Sequence, residues 1–178
     1  MIFHETPLRN AYCLEAERAE DDRGFFARVW CKEEFTKYGL CGEMVQGSIS
    51  YNRQKGTLRG MHFQLPPYEE TKIVRCTQGS IFDVIIDLRP MSQTYTHWYG
   101  VELTAENRKT LVIPPGFAHG FQTLMDRTEV FYLISEFYHP EAASGVRWDD
   151  PAFAIDWPHI GRRILSGKDQ NWPAYVPK

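Results

Sequence analysis

Short runs of β-forming residues, separated by turn residues, fill most of the chain from residue 45 onward. The clearest are IVRCTQGSIFDVIIDLR, HWYGVELTAENRKTLVIPPGFAHGFQTL and TEVFYLISEFYHP. Strands that recur at this spacing, with Gly, Pro and Asn between them, are typical of an all-β sandwich or barrel. We expect turns at TQGS, AENRK and PPGFAHG, where the turn-forming residues cluster.

Helices are expected to be short and peripheral. The segment CKEEFTKYGL places Phe35 and Leu40 among charged residues and has Gly39 near its end, which predicts a short surface helix. The C-terminal segment GRRILSGKDQNWPAYVPK contains proline and predicts irregular structure with one helical turn. No repeat or linker divides the chain, so residues 1–178 are expected to form one domain.

Composition and charge exclude several classes of protein. The chain is 43% hydrophobic and carries a net charge of −3, which is globular composition without the basic field that nucleic-acid binding requires. No window approaches the roughly 18 apolar residues of a membrane span, so no membrane partner is expected. The four cysteines show no metal-ligand spacing and MIFHETPLRN is unlike a signal peptide, which predicts a cytoplasmic protein with reduced thiols.

One β run, GTLRGMHFQ at residues 56–64, carries two polar side chains, Arg59 and His62, beside apolar residues. Because side chains alternate between the two faces of a strand, Arg59 is expected to share a face with Met61, and His62 with Gly60. Alternation therefore does not bring Arg59 and His62 together. Taken alone, a histidine at such a position is more often a structural residue with a satisfied hydrogen bond.

Other polar residues interrupt apolar segments in the same way: Lys72, Asp83, His119 and Tyr132. Burying several such groups is costly unless they pair, and a polar site inside a barrel explains them together. Asp83 is expected to have a structural role, paired with Lys72 or another cation. No HxH pattern and no GxSxG motif occurs, so neither a metal site nor a hydrolase is predicted. Histidine and tyrosine instead suit general acid–base chemistry.

Six motifs follow one another through nearly the whole chain: DDRGFF, GTLRGMHFQ, KIVRCTQGSIFDVIIDLR, PPGFAHGF, GVRWDDPAFAIDWP and ILSGKD. In sequence and order they resemble the dTDP-4-dehydrorhamnose 3,5-epimerase family. The resemblance implies a double-stranded β-helix, or cupin-like jelly roll, that forms homodimers and works without a metal or a redox cofactor. It also implies that the substrate is a nucleotide-diphosphate sugar, epimerised at C3, at C5 or at both.

The resemblance assigns roles to individual positions. His62 matches the general base, Asp169 the carboxylate paired with it and Tyr132 the general acid, while Lys72 is the candidate to stabilise the enolate oxygen. The positions expected to contact the sugar or the nucleotide are Arg59, His119, Arg23, Phe26, Gln46, Ser48, Tyr138 and Lys168.

Four positions depart from the family pattern: Arg28, Gly47, Ser48 and Ala143. All four fall in the nucleotide-recognition set, so the resemblance leaves the nucleotide base open, and a CDP-linked sugar is a serious alternative to a dTDP-linked one. Three other functions also stay open at this point. They are a keto-sugar isomerase on the same scaffold, a non-catalytic module that binds sugar nucleotides and a metal-dependent oxygenase.

Overall fold

The computed structural model describes residues 1–177, most of whose regular structure consists of antiparallel strands. The first half contains β1 (Ile2–Glu5), β2 (Tyr12–Glu15), β3 (Arg18–Asp21), β4 (Gly24–Ala27), α1 (Lys32–Lys37), β5 (Gln46–Asn52), β6 (Leu58–Gln64), β7 (Lys72–Gln78) and β8 (Ser80–Asp87). The second half contains β9 (Trp98–Thr104), β10 (Thr110–Ile113), β11 (Phe117–Thr123), β12 (Thr128–Ile134), β13 (Ala143–Gly145) and α2 (Gly167–Gln170).

These strands form two main sheets and a separate hairpin. The six-stranded sheet has the order β1-β2-β10-β7-β12-β5, the five-stranded sheet has the order β13-β6-β11-β8-β9, and β3 pairs with β4 alone. Within the two sheets, the strands in the orders β5-β12-β7-β10 and β6-β11-β8-β9 form the two halves of an eight-stranded jelly roll. The expected all-β jelly roll is therefore confirmed.

The apolar core fills one end of the space between the two sheets. Side chains from both sheets meet there, among them Val74, Ile85, Leu111, Phe121 and Val130. The outer face of each sheet is also covered. Helix α1 buries Phe35 against the six-stranded sheet, and the segment after β13 packs Phe153 and Trp157 on the five-stranded sheet. Because apolar contacts hold both sheets from both sides, the remaining space between them can be lined by polar groups.

A β-bulge in β6 changes which residues share a face. His62 pairs with His119 and Arg59 with Phe121, so β6 spans this interval with one more residue than β11. Met61 packs in the cluster on the outer face, while Arg59 and His62 both face the space between the sheets. Strict alternation is therefore wrong here, because the extra residue turns His62 onto the same side as Arg59.

The predicted local elements agree with the structure in part. Helices α1 and α2 lie in the two segments that predicted them, and the chain turns within TQGS and within AENRK as expected. The turn predicted at PPGFAHG is shorter than expected, because β11 already begins at Phe117. The N-terminal strands β1 to β4 were not predicted. No helix within residues 1–177 has the length and apolar character to cross a bilayer.

Candidate active site

A cleft opens between the two sheets at the end that the core leaves free. Its outer part has a volume of about 370 Å³ and its inner part about 330 Å³. The two parts share Arg59, His62, Lys72 and Ile134, so they form one continuous space. The outer part adds Gln46, Phe63, Gln64, Glu70, Tyr138, Ala143, Ser144, Ser166, Lys168 and Asp169, and the inner part adds Ser48, Ile49, Ser50, His119, Phe121 and Tyr132.

His62 and Asp169 form a hydrogen-bonded pair on one wall of this cleft. Nε2 of His62 lies 2.6 Å from Oδ1 of Asp169, and their side chains are 42% and 6% exposed. Asp169 is fixed by its own local structure, because its backbone N–H donates to the hydroxyl of Ser166, which caps α2. The indole N–H of Trp172 points to the same carboxylate oxygen at 3.4 Å. The imidazole is thus held at Nε2 while Nδ1 is left for another partner.

The environment of Asp169 keeps it ionised. Burial by itself raises the pKa of this carboxyl group, but the hydrogen bond and charge of His62, with contributions from Ser166 and Trp172, outweigh that effect and hold the pKa below its ordinary value. This carboxylate is in direct contact with Nε2 of His62 and can fix the orientation of the ring. The pair can therefore accept a proton from a bound molecule and stabilise the resulting imidazolium.

Tyr132 lies on the opposite wall, because it belongs to β12 of the six-stranded sheet whereas His62 belongs to β6 of the five-stranded sheet. Burial raises the pKa of its hydroxyl far above the ordinary tyrosine value, and the charge of Asp83 raises it further. Arg59 and a hydrogen bond with Ser50 oppose this shift without reversing it. Tyr132 is therefore held as a protonated phenol that can donate to a group in the inner part.

A second histidine–carboxylate pair closes the inner end of the cleft. Nε2 of His119 lies 2.5 Å from Oδ1 of Asp83, and both residues are buried. The His119 ring also meets Tyr132 edge to face, with ring centroids 6.2 Å apart. The partner of Asp83 is therefore His119 and not Lys72. Within residues 1–177, no three His, Cys, Asp or Glu side chains converge in the arrangement that binds a metal ion.

Two polar residues that sequence reasoning missed hold two of the cations of the cleft, Lys72 and Arg59. Oε1 of Glu70 lies 2.7 Å from Nζ of Lys72, and Nε of Arg59 donates to Oδ1 of Asn52 at 2.8 Å. One signal for Glu70 was present, since residues two apart on an extended chain share a face and Glu70 precedes Lys72 by two. Asn52 lies on a different strand from Arg59, and no sequence pattern relates them.

The residues expected to contact the nucleotide divide into two groups. Gln46, Tyr138 and Lys168 line the outer part, and Ser48 lines the inner part. Arg23 and Phe26 are absent from both linings. The Arg23 side chain is 90% exposed and pairs with Asp21, and Phe26 is 75% exposed on the β3–β4 hairpin. One protomer therefore brings all the predicted site residues together except these two.

Comparison with known proteins agrees with this geometry. The family model described as dTDP-4-dehydrorhamnose 3,5-epimerase matches residues 5–176. A dTDP-4-dehydrorhamnose 3,5-epimerase from Methanothermobacter thermautotrophicus is 45% identical over 172 residues, which cover 96% of this chain and 92% of that protein.

Two solved structures that carry the same description superpose closely. The one from Elizabethkingia anophelis has a TM-score of 0.95 at 39% identity and covers 98% of this chain and 96% of that one. The one from Bacillus anthracis, with TDP and pyrophosphate bound, has a TM-score of 0.93 at 42% identity and covers 98% and 99%. Fold, cleft and sequence agree over nearly the full length, and the chain belongs to the dTDP-4-dehydrorhamnose 3,5-epimerase family.

Proposed function

We propose that this protein epimerises dTDP-4-dehydro-6-deoxyglucose at C3 and C5 to give dTDP-4-dehydrorhamnose. The observation that carries the proposal is the placement of His62–Asp169 and Tyr132 on opposite walls of one cleft. Inversion at carbon needs a base on one face of the sugar and an acid on the other, and facing sheets supply both. The family relationship supports the identity of the substrate.

The first half of the reaction is removal of a proton from carbon. The C4 ketone of the substrate acidifies the hydrogens on C3 and C5, because the electron pair of the broken C–H bond moves into an enolate. His62 takes the proton at Nδ1, since its Nε2 faces Asp169 at 2.6 Å. Asp169 stabilises the imidazolium that results and fixes the orientation of the ring.

The second half returns a proton to the opposite face. Lys72 lines both parts of the cleft and donates to the enolate oxygen at C4, where a cation held in place stabilises the developing charge. Tyr132 gives its phenolic proton to the carbon, the enolate electrons return to form the new C–H bond, and the ketone is restored. The phenolate then regains a proton, and His62 releases the one it took.

The nucleotide belongs in the outer part of the cleft. Tyr138 is 62% exposed at its mouth and offers a ring for the base, while Gln46 and Lys168 line the same space. The related structure from Bacillus anthracis has TDP bound, which favours a dTDP-linked substrate over a CDP-linked one.

A keto-sugar isomerase is less consistent with this geometry, because moving a carbonyl does not require an acid facing the base.

We also propose that the working enzyme is a homodimer in which the β3–β4 hairpin completes the partner's site. The hairpin pairs with neither main sheet, and Phe26 at 75% and Ile49 at 63% are among the most exposed large apolar residues. Strand β5 is an outer strand of the six-stranded sheet in the described part of the chain, and its cleft-facing residues include Ser48. A partner hairpin laid against β5 would cover this edge and bring Arg23 and Phe26 to the nucleotide.

The experiment that tests the reaction follows exchange and inversion together. Purified protein is incubated in D₂O with 4-keto-6-deoxyhexoses linked to dTDP, CDP or GDP, and NMR reports deuterium at C3 and C5 and the configuration of each centre. We expect deuterium and inversion at both centres with the dTDP sugar, and neither with His62→Ala, in which no base remains. Preference for the CDP sugar, or exchange undiminished in His62→Ala, would contradict the proposal.

A further inference from the structure

A carboxylate lies inside the cleft beside the cation that the proposed reaction uses. The side chains of Glu70 and Lys72 are only 11% and 13% exposed, and their charged atoms lie 2.7 Å apart. The backbone next to Glu70 is fixed, because the N–H of Thr71 donates to the hydroxyl of Ser135 at 2.8 Å and its carbonyl accepts from the Ser135 N–H at 3.1 Å. Glu70 is thus an anchored anion in contact with a long, flexible side chain.

Lys72 needs such an anchor more than the other groups of the site do. A lysine ammonium sits on a four-carbon stem and loses considerable rotamer freedom when it is held in one place. Arg59 is held by Asn52, and His62 by Asp169. Glu70 supplies the corresponding contact for Lys72, and a charge-assisted hydrogen bond is the strong kind.

The substrate itself makes the anchor necessary. In the proposed complex the diphosphate lies in the outer part of the cleft, which Lys72 also lines. A mobile ammonium would move toward that strong anion and away from the sugar ketone. Glu70 offers a nearer carboxylate on a rigid backbone and takes one of the three N–H donors of Lys72, which leaves the other two for the substrate.

We propose that Glu70 is a positioning residue for catalysis, which holds the Lys72 ammonium at the enolate oxygen without touching the sugar itself. The inference rests on the proposed function, in which Lys72 is the group that stabilises the enolate. It assigns Glu70 an effect that exists only while Lys72 is present. A carboxylate that bound a sugar hydroxyl, or that merely supported the fold, would act whether or not Lys72 was there.

The test is a double-mutant cycle in the full-length enzyme with the dTDP-linked substrate. Glu70→Gln keeps the shape but removes the charge, and we expect kcat to fall about tenfold with KM changed less than about threefold, since a misplaced catalytic group costs up to roughly 10²-fold. Lys72→Met should lower kcat by about 10²- to 10³-fold. Adding Glu70→Gln to Lys72→Met should cost less than about twofold more, because the group that Glu70 positions is gone.

The matched control is Glu69→Gln, which makes the same charge change at the exposed neighbouring residue and should leave kcat and KM unaltered. Melting curves of all variants verify that they are folded.

Three results would overturn the inference: an unchanged kcat in Glu70→Gln, an unimpaired Lys72→Met, or the same loss of kcat from Glu70→Gln with and without Lys72→Met. A rise in KM in both backgrounds would instead identify Glu70 as a substrate contact. Failure of the unsubstituted protein to epimerise any substrate would count against the proposed function and not against Glu70 alone.

Discussion

The surroundings of His62 suit a proton acceptor, and the surroundings of Tyr132 suit a proton donor. His62 is 42% exposed and contacts an ionised carboxylate, so a positive charge that forms on its ring is stabilised. Tyr132 lies against buried Asp83 and His119, and its raised pKa keeps the phenol protonated. Tyr132 is therefore suited to donate a proton, and the carboxylate beside His62 is suited to stabilise a charge that forms there during the reaction.

Replacing Tyr132 should uncouple exchange from inversion. Tyr132→Phe keeps the ring and removes the only proton it can donate, while His62 on the opposite wall still removes protons from carbon and returns them to the same face. Deuterium should then enter C3 and C5 with retention, and formation of inverted product should fall by about 10²- to 10⁴-fold, the usual effect of one general acid. Both quantities can be followed by NMR on one sample in D₂O.

Two results delimit the assignment of Tyr132. Tyr138→Phe makes the same chemical change in an exposed ring at the mouth of the cleft, so it should leave the ratio of exchange to inversion unaltered. If Tyr132→Phe inverts C3 and C5 as fast as the unsubstituted protein, the acid is another residue and Tyr132 only packs against His119.

At this scale the sequence predicts single residues of the site, and the family resemblance predicts one pair, His62 with Asp169, but neither predicts the partners of Arg59 and Lys72. His62, Lys72 and Tyr132 interrupt apolar strands, and that pattern alone marks them as costly to bury. Glu70 and Asn52 stand in polar stretches where a charge or an amide needs no explanation. What gives them a role is a contact of 2.7 Å from Glu70 to Lys72 and of 2.8 Å from Asn52 to Arg59. The spacing of Glu70 and Lys72 places them on one face but does not say that they pair, and no sequence pattern relates Asn52 to Arg59.

The bulge in β6 is the element that puts Arg59 and His62 on one face. It depends on Gly60, whose φ of +133° is one that residues with a side chain rarely adopt. A Cβ on Gly60 would also lie 2.5 Å from Cα of Gly120 on the neighbouring strand. Close approach of the two backbones and an unusual φ both require glycine at this point, and the direction of the two polar side chains depends on it.

Gly60→Ala should therefore destabilise the protein and damage the site together. The strained φ and the backbone clash should cost about 2 to 3 kcal/mol, which corresponds to a fall in Tm of about 5 to 10 °C for a chain of this size. Activity of the folded fraction should also fall, because Arg59 and His62 no longer face the cleft in register. Thermal melts and kcat at one protein concentration measure both effects.

Gly161→Ala is the control for the Gly60 variant, since a Cβ there meets nothing within 4 Å. Its Tm and kcat should match those of the unsubstituted protein. A Gly60→Ala enzyme with normal Tm and normal kcat would show that the bulge tolerates a side chain and does not control the direction of His62.

Whether a strand could be predicted depended on its length and burial. Strand β8, with seven of its eight residues buried, contains a nearly continuous apolar run that indicates a strand without further information. Strand β3, RAED, is exposed at all four positions, and its conformation is set by its pairing with β4. The bulge in β6 could not be predicted from the sequence either. One glycine in a strand indicates a bulge or a close contact, but it does not say which way the side chain of the extra residue points.

At the scale of the whole molecule, the six-stranded sheet has an edge at β5 that is unpaired within residues 1–177, and the β3–β4 hairpin has exposed apolar side chains. Ile49 and Tyr51 on β5, an outer strand of this sheet in the described part of the chain, are 63% and 48% exposed. The hairpin carries Phe26, which is 75% exposed, and Arg23, which is expected to bind the nucleotide but lies outside the cleft of its own protomer. An exposed sheet edge and an exposed apolar hairpin would complement each other in a pair of protomers.

The dimer proposal predicts that two inactive variants restore each other. If the site combines His62 of one protomer with Arg23 of the partner subunit, a mixed dimer of Arg23→Ala and His62→Ala protomers contains one intact site. Co-expression in equal amounts should make half of the dimers mixed. Each mixed dimer has one intact site of two, so about a quarter of the unsubstituted activity should be recovered.

As a control, Tyr132→Phe and His62→Ala alter the same cleft, so their mixed dimers contain no intact site and should stay inactive. Sedimentation at micromolar concentration should give a dimer in every case. A monomer, or no recovery when Arg23→Ala is combined with His62→Ala, would mean that each protomer builds its site alone and that Arg23 does not act on the partner's substrate.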